Sequence, residues 1–194
     1  KISPEYTRKA AHIACGIISL SFPVYFNSVW PVLIIGLIFL LILAYSKKKK
    51  FLQSVNGIKR KSFGSELYTA AIVLCFWAFK NTNDRSYFYI PLLLLFISDP
   101  IAALAGTYIP IKKHRFSSEG KSMGGTLFFF VSATAIISIY YLISEPVLPH
   151  GIVALILIPA TVSTIAETTS KKGIDNISIP ASLILTLIIW NNFF

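Results

Sequence analysis

Long apolar runs, each closed by a short polar or charged connection, divide the chain into seven stretches: 10–26, 29–46, 65–79, 87–109, 122–143, 151–167 and 177–193. Most approach the roughly 17 to 25 residues that a helix needs to cross a bilayer, the third being short. Hydrocarbon offers no partner to a bare peptide group, so runs of this kind close their hydrogen bonds as helices. The pattern predicts an all-α polytopic membrane protein of about seven transmembrane helices, forming one transmembrane domain over 1–194. No soluble domain, low-complexity linker or obvious repeat remains between the runs. The first run follows Arg8 and Lys9 in the manner of a signal peptide. His12 interrupts its start and further spans follow at once, so it reads as a retained helix.

Composition agrees: 55% of residues are hydrophobic, 13% are charged, and the mean hydropathy is +0.69. The net charge of +10 would fit a nucleic-acid partner only if it gathered on one soluble face. Instead sixteen of the eighteen basic residues fall in alternate connections, leaving Lys80 and Arg85 opposite. The positive-inside rule then puts the N-terminus in the cytoplasm and the C-terminus outside, with the inner (cytoplasmic) membrane as the expected location and no nucleic acid as partner. Glu5, Glu66, Asp99, Glu119, Glu167 and Asp175 fall on or near the same cytoplasmic side. That rule does not require acids there, so acids and bases together point to a site for a charged cytosolic substrate, with a divalent metal. Cys15 and Cys75 lie in separate spans without metal-ligand spacing and read as small buried residues.

The fourth run carries Asp99, followed by Pro100. A carboxylate at membrane depth costs about 2.5 to 3.5 kcal/mol on insertion scales, which makes a functional reading the default. The proline removes an N–H and crowds the carbonyl of Phe96, predicting a broken helix near Asp99. Asp before Pro is also a common helix start, and capping does not exclude metal binding. Mg²⁺ suits the site, since it takes one or two carboxylates plus phosphates and water. Downstream, Gly120-Lys121-Ser122 resembles the end of a P-loop, but Arg115 stands where the first glycine belongs and no strand precedes it. Lys121 and Ser122 at a helix start, with Gly124 and Gly125 allowing close backbone approach, still predict a phosphate cradle. His12 lies a turn inside the first run, as a base, a phosphate donor or a satisfied polar residue. Lys9 reads equally as a snorkelling helix end. Glu167 ends the sixth run and Asp175 opens the seventh, either as a cap or with Glu167 as a metal or ribose site.

The ordered set Glu5-x-x-Arg8-Lys9-x-x-His12, Arg60-x-x-x-Gly64, Asp99-Pro-x-Ala102-x-x-x-Gly106, Lys121-Ser122-x-x-Gly125 and Glu167…Asp175-Asn176-x-x-x-Pro180 spans nearly the whole chain. It resembles the CTP-dependent polyprenol, phytol and diacylglycerol kinase family, dolichol kinase-like enzymes distantly related to phosphatidate cytidylyltransferases. The resemblance implies transfer of the γ-phosphate of CTP to the hydroxyl of a membrane lipid alcohol. It implies Asp99, Glu167 and His12 as catalytic residues, and Asp99 with Glu167 or Asp175 as Mg²⁺ ligands. Lys121, Ser122, Gly124, Gly125, Arg8, Lys9, Gly106, Arg60 and Asn176 are implied around the nucleotide. The implied partners are CTP, the lipid alcohol and the bilayer, with a homodimer compatible. Cytidylyl transfer to phosphatidate is the alternative chemistry, and a small cation-coupled transporter the alternative of another class.

Overall fold

A computed structural model describes residues 4–49, 63–109, 111–113, 121–145, 147 and 150–193. The described residues fold as helices α1 (Pro4–Ser19), α2 (Phe22–Tyr25), α3 (Val29–Lys49), α4 (Gly64–Thr82), α5 (Ser86–Leu93), α6 (Asp99–Tyr108), α7 (Met123–Ser144), α8 (Ile152–Thr169) and α9 (Asp175–Phe193). Every expected run appears within them. Among the described residues, five of the expected seven stretches are long and apolar enough to span a membrane: Val29–Ser46, Ser86–Tyr108, Met123–Ser144, Ile152–Thr169 and Asp175–Phe193.

The short third run becomes α4, which packs against α3, α5 and α9. A helix so enclosed needs small and aromatic packing surfaces more than a lipid-facing coat, which explains its mixed composition. Tyr68, Ala71, Cys75, Phe76 and Phe79 are all buried, and Phe76 meets Phe88 of α5 edge-on at a 5.7 Å ring separation. α3 is the converse case, apolar all round, with Leu33, Ile34, Leu37, Ile38 and Leu41 outward. Asn83, left-handed at φ 56°, ends α4 by donating its N–H to Phe79 O. The chain then turns through Asp84, whose Oδ1 accepts from the Ser86 N–H at 2.8 Å.

The interruption expected at Asp99 takes the form of a π-helical turn, Leu94–Ser98, that joins α5 to α6. Asp99 donates its N–H back five residues to Leu94 O, so the wider turn accommodates Pro100, which has no N–H to give. Ser98 closes the turn with its hydroxyl fully buried and no hydrogen-bond partner among the described residues.

α6 and α7 cross in near contact. A Cβ built on Gly125 would lie 2.8 Å from Ala102 O and 3.5 Å from Gly106 Cα, and one on Gly124 would collide with Ile109 O. Small residues at such a crossing let backbones meet where burial alone provides little drive. Gly125→Ala is therefore expected to destabilise the fold by about 1 to 3 kcal/mol. Gly36→Ala, whose new Cβ would meet side chains and no backbone (Val73 at 3.0 Å and Thr69 at 3.6 Å), should cost less. Thermal unfolding in detergent compares the two.

Candidate functional site

The site lies at the end of the bundle where α4, α7 and α9 begin and α8 finishes. Ser170 caps α8, and Lys171–Ile174 form a tight turn closed by Ile174 N–H to Lys171 O at 3.0 Å. Its central residues Lys172 and Gly173 both have positive φ, 55° and 85°. Only such a reversal lets α9 restart four residues on, leaving Glu167 at the end of one helix beside Asp175 at the start of the next. Ser170 Oγ and Ser178 Oγ, 2.6 Å apart, clasp the two helices. The buried Asn176 donates Nδ2 to Gly64 O at 2.7 Å, and Phe63 N–H reaches Lys172 O at 3.2 Å, tying both to the start of α4.

α7 starts at Ser122, whose Oγ accepts from the Gly125 N–H at 3.1 Å as an N-cap. Just before it, Lys121 extends its Nζ between the two acids: to Glu167 Oε1 at 2.7 Å, to Asp175 Oδ2 at 3.3 Å, and to the Glu167 backbone carbonyl. The three side chains are 17%, 8% and 19% exposed, so the pairing is only partly screened by water. Burial lowers the lysine pKa, but the charges of Glu167 and Asp175, helped by the hydrogen bond that Lys121 donates to Glu167 and by the charge of Asp99, outweigh it and leave the pKa raised. Thr168 Oγ1 donates to Glu167 Oε2 at 3.2 Å and lies 3.1 Å from Thr126 Oγ1, fixing the carboxylate from its other side.

Lys121, Glu167 and Asp175 come together, and half-buried Asp99, at the start of α6, lies within electrostatic reach of the lysine. The glycines and the helix start differ from expectation. The space at Gly124 and Gly125 is filled by the carbonyls of Ile109 and Ala102, and Gly106 packs beside Ser122 Oγ. The Met123 N–H is taken by Lys112 O at 3.0 Å and the Gly125 N–H by Ser122. These residues build the α6–α7 crossing, because a helix start packed against protein must satisfy its own donors. Asn176 likewise serves the α4–α9 joint. Arg60 lies outside the described residues, as do the side chains of Arg8 and Lys9.

His12 stacks on Tyr68 with rings 4.4 Å apart, and Tyr68 Oη donates to the His12 carbonyl at 2.8 Å. Gly16, one turn deeper, packs against Phe96. Since α1 runs opposite to α5–α6, His12 stands roughly level with Asp99 and Pro100. Beyond Tyr68, an apolar cavity of about 200 Å³ opens between α1, α3 and α4, lined by Cys15, Phe22, Val32, Phe39, Tyr68 and Ile72 among others. Sequence reading missed Tyr68, Thr126 and Thr168, because a tyrosine or threonine in an apolar helix carries no signal until its partner is known.

Among the described residues no group of three His, Cys, Asp or Glu side chains is gathered to hold a metal, so the expected trio of Asp99, Glu167 and Asp175 is not a closed cage. The fit is to a hard cation that brings other ligands: carboxylate and carbonyl oxygens converge on the one point that Lys121 Nζ occupies.

These features define a polytopic helical membrane protein whose charged groups meet at one end of an apolar bundle. No family model matches the chain, and no solved structure matches it. The phytol kinase of Synechocystis sp. (strain ATCC 27184 / PCC 6803 / Kazusa) is 30% identical over 191 residues, covering 92% of this chain and 77% of that protein. The chain belongs to the phytol kinase family.

Removing the ammonium would leave two carboxylates facing each other. Lys121→Met is therefore expected to destabilise the protein by about 2 kcal/mol, between the values for exposed and fully buried pairs. A raised lysine pKa contributes stability that is present below the ordinary value of 10.5 and lost as pH rises through the folded value. The difference between wild type and Lys121→Met should hold from neutral pH to near 10.5 and shrink only above it, as pH-dependent unfolding would record.

Proposed function

We propose that this protein is a lipid-alcohol kinase that transfers the γ-phosphate of CTP to the hydroxyl of a membrane-dissolved alcohol of the phytol or polyprenol class. The observation that carries the reading is Lys121 held between Glu167 and Asp175, with Asp99 in electrostatic reach, in a chain related to a phytol kinase. Phosphoryl transfer asks a protein mainly to position its reactants and neutralise charge. Lys121 and the basic residues Arg8 and Lys9 would hold the phosphates, while Glu167, Asp175 and Asp99 would hold Mg²⁺. Such an ion would supply positive charge to offset the negative charge of the phosphates. His12 or one of the carboxylates would take the proton of the alcohol. CTP as the donor rests on the motif resemblance.

The acceptor would enter laterally, with its hydrocarbon in the cavity between α1, α3 and α4 and its hydroxyl near His12. The charge bias of the connections supports a cytoplasmic position for this end, on the side from which a nucleotide would come.

Purified protein incubated with γ-labelled CTP, or ATP in parallel, and a panel of lipid alcohols is expected to put label into the lipid fraction with CTP. Label entering lipid only from the cytosine base would instead mean cytidylyl transfer. Ion-dependent flux in liposomes without nucleotide turnover would mean a transporter. Asp99→Asn is expected to lower turnover about a hundredfold or more while its melting temperature stays near wild type. Full activity in that variant would remove Asp99 from the chemistry.

A further inference from the structure

Lys121 stands where a cation belongs. Its Nζ is met by Glu167 Oε1 at 2.7 Å, Asp175 Oδ2 at 3.3 Å and the Glu167 carbonyl. These are the hard oxygens that a Mg²⁺ or Mn²⁺ ion prefers. An ammonium and a divalent ion cannot share that point, since like charges at contact repel.

The acids do not depend on the lysine for their placement. Ser170–Ser178, Asn176–Gly64 and the turn at Lys172–Gly173 hold α8 against α9, and Thr168 fixes Glu167 from behind. Lys121 precedes the N-cap Ser122, outside the helix, and carries its charge on a four-carbon stem that can change rotamer.

We propose that Lys121 is a placeholder cation, which keeps the two carboxylates paired until a divalent ion takes their oxygens and frees the ammonium to receive a polyphosphate. With lysine in place, two carboxylates and one ammonium leave the trio net negative, with Asp99 adding to it, and a triphosphate is repelled. With a divalent ion in place the carboxylates are neutralised and the ammonium is surplus positive charge beside them. The exchange therefore makes the site receptive to an anion only once its metal has arrived. The destination of the freed ammonium rests on the kinase reading; the exchange itself does not.

The test uses the full chain in detergent with Mn²⁺ alone, without nucleotide or lipid. By paramagnetic resonance titration, Lys121→Met should bind Mn²⁺ about tenfold more tightly than wild type, because the competing closed state is gone. Adding Glu167→Gln should abolish that gain. In the wild-type protein, saturating Mn²⁺ should raise acetylation of Lys121 severalfold relative to exposed Lys171, read by mass spectrometry. That second measurement does not depend on a variant folding. Unchanged Mn²⁺ affinity in folded Lys121→Met, or wild-type labelling unmoved by Mn²⁺, overturns the proposal. Neither readout involves phosphate transfer, so failure here leaves the γ-label experiment to stand or fall separately.

Discussion

A lysine ammonium between two carboxylates joins the beginning of α7, the end of α8 and the beginning of α9. Charges in a partly dry setting must pair, and here three helices meet so that they can. The surrounding architecture serves that meeting. Two consecutive positive-φ residues fold α8 back onto α9, Asn176 reaches across to α4, and the Ser122 cap sets the start of α7. The paired cluster sits at the ends of helices long and apolar enough to span a membrane.

The second organising constraint is the backbone around Asp99. Pro100 cannot donate, and in an apolar setting an orphaned carbonyl is costly. The chain resolves this with a π turn: the Asp99 N–H skips back to Leu94, and the helix runs on through α6. Asp99 is thereby half-buried beside the bundle's charged end, with Phe96 packed against Gly16 of α1. π turns recur at functional positions because they re-aim side chains without breaking the helix. The close α6–α7 crossing then brings the helix bearing Asp99 against the helix that follows Lys121.

Membership of the phytol kinase family gives this geometry a chemical setting, and the geometry refines the motif reading. Residues that the motifs assigned to metal and nucleotide divide, in the fold, into two groups. Lys121, Glu167 and Asp175, with Asp99 nearby, present charge. Ser122, Gly106, Gly124, Gly125 and Asn176 hold the helices that carry it. A short motif in a membrane helix records both kinds of constraint alike, because a glycine needed for a ligand and one needed for a neighbouring backbone look the same in one dimension.

The succession of apolar runs was enough to announce an all-helical membrane protein, since hydrocarbon permits few ways to close a backbone. Candidate site residues stood out wherever a residue was expensive for its surroundings: Asp99 in an apolar run, and Glu167, Asp175 and Lys121 at run ends. Other features needed the folded arrangement. The π turn depends on where the helix on either side of Pro100 is held, and the roles of Gly124 and Gly125 depend on the carbonyls of Ile109 and Ala102, 15 and 23 residues away in sequence. Placing Lys121 between two acids 46 and 54 residues away requires three helix ends to coincide. Local pattern reports the cost of a residue in its own stretch of chain; which distant group repays that cost is settled only when the helices pack.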